Sequence, residues 1–146
     1  GRGIRFIADA TGKLLLNMLK YRPFLIKPNN FELGDFFGAE IITDDDTIKY
    51  ALELQKMGAQ NVLVSMAEKG ALLLDDNEHI HRCGVCKGEL KNSVGAGDSM
   101  LAGFIAGIEC GDYGYALKLG TACGGATAFS NGLAKRSLID ELMKQL

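Results

Sequence analysis

Neither sign of charge dominates this chain. Across 146 residues, 16 basic and 18 acidic side chains leave a net charge of −2. That balance gives no cationic field to gather a phosphate backbone or an anionic lipid surface, so nucleic-acid and membrane partners are disfavoured. No apolar run reaches bilayer-spanning length, and the opening Gly1-Arg2-Gly3 is no charged leader followed by an apolar block and a cleavage site. The expected location is the cytoplasm. An initiator Met is also lacking, and the chain enters almost at once the apolar run Ile4 to Ala8. That run reads as a strand already inside a fold, which predicts a fragment.

Two nucleotide signatures are missing as well. A phosphate loop of the G-x-x-x-x-G-K-[ST] type fails at both ends, because Gly12-Lys13 is followed by Leu14 and Ile7 stands where the first glycine belongs. The turn Asp9-Ala10-Thr11-Gly12 supplies only one of the three glycines of a dinucleotide fingerprint, which disfavours a dehydrogenase. Internal repeats, low-complexity stretches and an interdomain linker are likewise not found, so residues 1–146 are expected to form a single domain.

The four cysteines, Cys83, Cys86, Cys110 and Cys123, do not mark a small secreted scaffold, and reduced thiols are expected. Strand alternation would put His79, His81 and Cys83 on one face with Cys86 just beyond, a pattern that resembles a metal cluster. Alternate strand side chains lie about 7 Å apart, however, too far to share one ion without a bend. A half-exposed strand with incidental thiols is the favoured reading.

What is present is a core. The hydrophobic content of 47% suffices for a packed globule. Residues 5–9 read as a strand, Gly12 to Lys20 as a helix with Leu14, Leu15, Met18 and Leu19 on one stripe, and Phe24 to Lys27 as a second strand ended by Pro28. Asn29 or Asn30 can cap a short helix through Phe36. Thr43 or Asp44 can cap a longer one over Thr47 to Met57, stopped by Gly58. Val62 to Ser65 reads as a buried strand. Ala71 to Leu74 and His79 to Val85, joined at Asp75-Asp76-Asn77, are too close for a crossover helix and predict an antiparallel hairpin. Helices follow over Asp98–Ile108, Tyr115–Phe129 and Leu138–Leu146, separated by Gly111 and by Ser130-Asn131-Gly132. The predicted class is α/β, with a mainly parallel sheet, an antiparallel edge and flanking helices.

The chemistry concentrates at Val94-Gly95-Ala96-Gly97-Asp98-Ser99, where a loop gives way to a helix. Small residues let the backbone approach a ligand, and the first unpaired helix amides point outward with partial positive charge, so an anion belongs there. An acidic residue behind a glycine turn, placed only to complement the helix dipole, is the plainer alternative.

Three segments together resemble the PfkB-type, or ribokinase-like, carbohydrate kinases. Asn92 to Ser99 looks like their C-terminal signature D-T-x-G-A-G-D. Lys27-Pro28-Asn29-Asn30-Phe31-Glu32 looks like N-x-x-E, and Ser65-Met66-Ala67-Glu68-Lys69-Gly70-Ala71 looks like the nucleotide loop S-L-G-x-x-G-A. The wording is nearest to 1-phosphofructokinases and tagatose-6-phosphate kinases, and the likeness covers about the C-terminal half of a typical member.

The resemblance implies a ribokinase-like three-layer sandwich, of which this chain is the C-terminal nucleotide-binding and catalytic part, with the sugar-binding half and lid lying elsewhere. It implies ATP and Mg2+ as cofactors and a phosphorylated sugar as substrate. Amides of Gly95, Ala96 and Gly97 would form an anion hole, and Asp98 would take the proton of the sugar hydroxyl. Asn29 and Glu32 would organise magnesium through its waters; an ordinary capping box is the alternative. Ser65, Ala67 and Gly70 would line the nucleotide, a role compatible with a tight turn. Thr121 would border the adenine, although helix packing explains it equally well. The implied reaction is phosphorylation of fructose 1-phosphate, with tagatose 6-phosphate as rival and a non-catalytic nucleotide-binding module as the alternative class. Two departures stand out: Ala67 where the family often has Gly, and Asn92 where it often has Asp. A surface left by an absent half-sheet could drive homodimer formation.

Overall fold

The computed structural model describes residues 4–146; the opening Gly1-Arg2-Gly3 discussed above lies outside the described residues. Among the described residues, five strands and six α-helices follow one another: β1 Ile7–Ala8, α1 Gly12–Leu19, β2 Leu25–Ile26, α2 Asn30–Phe37, α3 Asp44–Lys56, β3 Asn61–Ser65, β4 Ala71–Leu74, β5 Ile80–Cys83, α4 Ala96–Ile108, α5 Tyr113–Ala128 and α6 Arg136–Met143. The sheet runs in the order β1-β2-β3-β4-β5. Pairing is parallel from β1 to β2, with Ile7 opposite Leu25, and from β2 to β3, with Leu25 opposite Asn61. The chain divides into two compact units, residues up to Met66 with Leu72–Ile80, and Ala67–Ala71 with His81–Leu146.

In the first unit, α1 turns Leu15 and Leu19 into the core, one helical turn apart on one face. Leu14, expected on that stripe, is 59% exposed, because its neighbour Leu15 already occupies the inward position. Ile26, Val62 and Val64 of the sheet and Leu33 and Leu54 of α2 and α3 complete this core. Fully burying each such side chain contributes about 1.5–3 kcal/mol.

Local chemistry fixes where the helices begin. Thr43 caps α3 with a capping box, its hydroxyl accepting from Asp46 N at 3.1 Å while the Asp46 carboxylate accepts from Thr43 N at 2.9 Å. The box lets α3 begin at Asp44, three residues ahead of the apolar periodicity. The turn after β4 is closed by Asp75, 2% exposed, whose carboxylate accepts from Asn77 N at 2.8 Å and His79 N at 2.9 Å. Buried Asn61 bridges two segments, donating to Phe24 O at 2.8 Å and accepting from Asp76 N at 3.0 Å.

The second unit is mainly helical. α5 starts at Tyr113 rather than Tyr115 because the Asp112 side chain caps it, accepting from Gly114 N at 2.8 Å. α4 and α5 approach backbone to backbone: a methyl group on Gly107 would lie 2.5 Å from Ala116 Cα, and one on Gly120 would lie 2.8 Å from Met100 O. This close crossing presses α5 against the first turns of α4. Cys86, Ala122, Ala126 and Leu142 form a second small core.

Candidate active site

The loop before α4 is built by its own hydrogen bonds. Lys91 N and Asn92 N both donate to Ala128 O, at 2.9 and 3.1 Å, anchoring the loop to the end of α5. The Asn92 side-chain oxygen accepts from Val94 N at 3.0 Å, a turn for which the oxygen of Asn serves as well as that of Asp. Gly95 then takes a left-handed conformation with φ +77° and stands as the N-cap of α4, a backbone that glycine adopts without strain. Ser99 N donates to Gly95 O at 2.9 Å, the first bond of the helix.

Ala96 N donates to Ser93 O at 3.1 Å, so this amide is consumed by the turn. Among the described residues the N–H groups of Gly95, Gly97 and Asp98 have no protein acceptor. The sequence places Ala96 among the outward donors; in the structure the cluster comprises Gly95, Gly97 and Asp98. The Asp98 side chain is exposed. It borders a cavity of about 400 Å3 that also touches Asn92, Gly95, Ser99, Thr127 and Ser130. Thr127 and Ser130 are not legible in the sequence as site residues, because no local pattern ties them to residues some thirty positions earlier. Thr121, which the resemblance places at the adenine rather than here, does not line this cavity; its hydroxyl donates to Leu117 O at 2.9 Å.

A second group lies in the first unit. Asn29 is the N-cap of α2 and forms the reciprocal box: its side chain accepts from Glu32 N at 2.8 Å and Glu32 Oε2 accepts from Asn29 N at 2.9 Å. A parallel bridge joins Asn29 to Ser65 at the end of β3, where Ser65 N donates to Pro28 O at 3.2 Å. Asn29, Glu32 and Ser65 are therefore brought together.

Beyond Ser65, Ala67–Lys69 make a single 3-10 turn, closed by Gly70 N donating to Ala67 O at 3.1 Å. Ala67 has φ +48° and Gly70 φ +87°. A glycine at position 67 would adopt this backbone freely, whereas Ala pays about 1 kcal/mol for the left-handed region. Ala67→Gly is accordingly expected to raise stability by up to about 1 kcal/mol, read as a higher urea midpoint at unchanged m-value.

The four cysteines are free thiols. Burial raises the pKa of Cys83 and Cys123 and pushes that of Cys86 up to about 11, so these are packing groups held as thiols. Among the described residues no three His, Cys, Asp or Glu side chains are grouped to hold a metal ion, and no helix is long and apolar enough to cross a membrane.

Against known proteins, residues 4–139 match the family described as pfkB family carbohydrate kinase. The chain belongs to the pfkB family. Among pfkB relatives, the 1-phosphofructokinase of Bacillus subtilis is 43% identical over 97% of this chain and 47% of its own length. A D-tagatose-1-phosphate kinase of Bacillus licheniformis is 37% identical over 98% of this chain and 47% of its own. The name of that relative carries the 1-phosphate, where the resemblance in sequence suggests the 6-phosphate. Phosphofructokinase-2 from Escherichia coli, solved in complex with substrates and products, superposes with a TM-score of 0.90 at 29% identity, covering 99% of this chain and 48% of that one. The expected ribokinase-like three-layer α/β fold is thereby borne out. The chain spans about half the length of the curated relatives it matches.

Proposed function

We propose that this chain is the C-terminal, nucleotide-binding and catalytic part of a kinase that transfers the terminal phosphoryl group of ATP to a phosphorylated ketohexose in the cytoplasm. Fructose 1-phosphate, giving the 1,6-bisphosphate, is the first choice of acceptor, supported by the name and 43% identity of the Bacillus subtilis relative. A tagatose phosphate is the second, supported by the 37% identical tagatose kinase.

The observation that carries the reading is the mouth of α4, where N–H groups of Gly95, Gly97 and Asp98 without protein acceptors lie beside the exposed Asp98 carboxylate. Phosphoryl transfer demands little covalent chemistry from the protein and much positioning and charge stabilisation. Fixed amides aimed at the migrating group supply the second without reorganisation. The carboxylate at Asp98 accepts the proton that the sugar hydroxyl loses as it attacks. Ser65, Ala67 and Gly70 are assigned to the nucleotide, and Thr121 to the border of its adenine.

Asn29 and Glu32 fit an indirect magnesium site. Both spend one oxygen on the helix cap, and Glu32 keeps Oε1 without a partner among the described residues. Magnesium usually keeps several waters and takes only one or two carboxylates beside the substrate phosphates. When bound with ATP, the ion neutralises phosphate charge; the chain contributes a capped, oriented carboxylate to its water shell.

The deciding measurement is sugar-phosphate-dependent ADP release by the enzyme completed with its other half. Turnover is expected with fructose 1-phosphate, more slowly with tagatose phosphates, and close to background for the 146-residue chain alone, because half of the positioning surface is absent. ATP binding without turnover on any ketohexose phosphate would reduce the protein to a nucleotide-binding module.

A further inference from the structure

Two ways of satisfying a hydroxyl occur along these helices. Thr47, Thr121 and Ser130 each donate to the backbone carbonyl four residues earlier, at 3.1, 2.9 and 2.7 Å. That is the usual way for a hydroxyl to satisfy itself on a helix. Thr127 and Ser99 do otherwise. Thr127, 7% exposed, leaves that carbonyl and instead donates across from α5 to Ser99 Oγ at 2.7 Å. Ser99 follows Asp98 in the first turns of α4, and Ser99 and Thr127 border the same cavity as Asp98. With its oxygen engaged by Thr127, Ser99 retains a hydroxyl hydrogen for which no protein acceptor exists among the described residues.

We infer that Ser99 is a further donor to the phosphoryl group at the mouth of α4, and that Thr127 is its positioning residue. A hydroxyl can donate one hydrogen and accept at its lone pairs. Thr127 uses the acceptor side of Ser99, so what remains for a ligand is the donor. A phosphate oxygen, which only accepts when ionised, is the complementary partner; a sugar hydroxyl has no such requirement. The close passage of α5 over this turn fixes the pair, since a methyl on Gly124 would already lie 3.0 Å from Ala96 O. Through Thr127, α5 controls which way a side chain on α4 presents its hydrogen.

This inference rests on the phosphoryl reading of the Asp98 cavity, and the test separates the two. The 146-residue chain, labelled with 15N, is titrated with inorganic phosphate while the amide signals of Gly97 and Asp98 are followed. Saturable shifts are expected in the wild type. Ser99→Ala and Thr127→Val should each weaken the apparent affinity at least about tenfold, the typical worth of one hydrogen bond to an anion, and Thr127→Ser should restore it. Thermal melts accompany each variant, and Ser99→Ala keeps the question open to decision should Thr127→Val fail to fold. A purely structural pair would lower melting temperatures and leave phosphate affinity unchanged; that result overturns the inference and spares the site. Absence of any shift in the folded wild-type chain overturns the phosphoryl reading and this inference with it.

Discussion

Replacing Asp98 by Ala in the full-length protein is expected, on the proposed kinase reading, to lower turnover by about 10²- to 10⁴-fold, the usual worth of a positioned general base, with ATP affinity retained. The structure separates this loss from misfolding. The Asp98 side chain is exposed and makes no hydrogen bond or ion pair among the described residues, so its removal costs the fold no more than its dipole contribution of up to about 1 kcal/mol. Its backbone N–H, one of the free donors at the mouth of α4, survives the substitution. Asp98→Asn is the sharper variant, since the amide fills the same space but no longer takes a proton. Comparable losses in both, at unchanged melting temperature, would mark the proton-accepting role; unchanged turnover in Asp98→Ala would remove it.

Gly70→Ala is expected to destabilise the chain by about 3 kcal/mol, combining the cost of a left-handed non-glycine residue with that of overpacking. For a protein of this size that corresponds to a melting temperature lower by roughly 10 °C. The reason is geometric: at φ +87° a methyl group would lie 2.1 Å from Cys83 O, a backbone atom that cannot swing aside. Calorimetry of wild type and variant checks it, and a shift of less than a degree would mean that the turn relaxes freely. The neighbouring Ala67→Gly should move in the opposite direction, because position 67 shares the left-handed backbone and its side chain is exposed. Any role of Gly70 at the nucleotide thus sits on a structural requirement of its own.

Both turns were legible as motifs, and so were the helix starts. Asn29 followed by Glu32, and Thr43 followed by Asp46, announce capping boxes because every partner lies within three residues. Element lengths were less legible. The first two strands shrink to two residues each, Ile7–Ala8 and Leu25–Ile26, because pairing in a parallel ladder depends on a neighbour distant in sequence. α4 begins at Ala96 rather than Asp98 since Gly95 itself supplies the cap, and α6 begins at Arg136, ahead of its first apolar residue. On α5, small residues at many positions hide Thr127 in the sequence, where the resemblance points only to Thr121, at the adenine. With about 3.6 residues per turn, Thr121 and Thr127 lie on different sides of the helix, and only the packing of α5 on α4 selects which one borders the cavity.

By itself the sequence determined what depends on neighbours along the chain: a glycine turn opening a helix, the acidic residue in its first turn, the capped helices and the family signature they compose. The tertiary structure decided what depends on partners far away. It set that Ala96 spends its amide on Ser93 while Gly95, Gly97 and Asp98 keep theirs, and that Thr127 reaches Ser99. The division follows from the reach of a hydrogen bond, about 3 Å: within a turn the chain's own geometry brings partners that close, and beyond it only packing does.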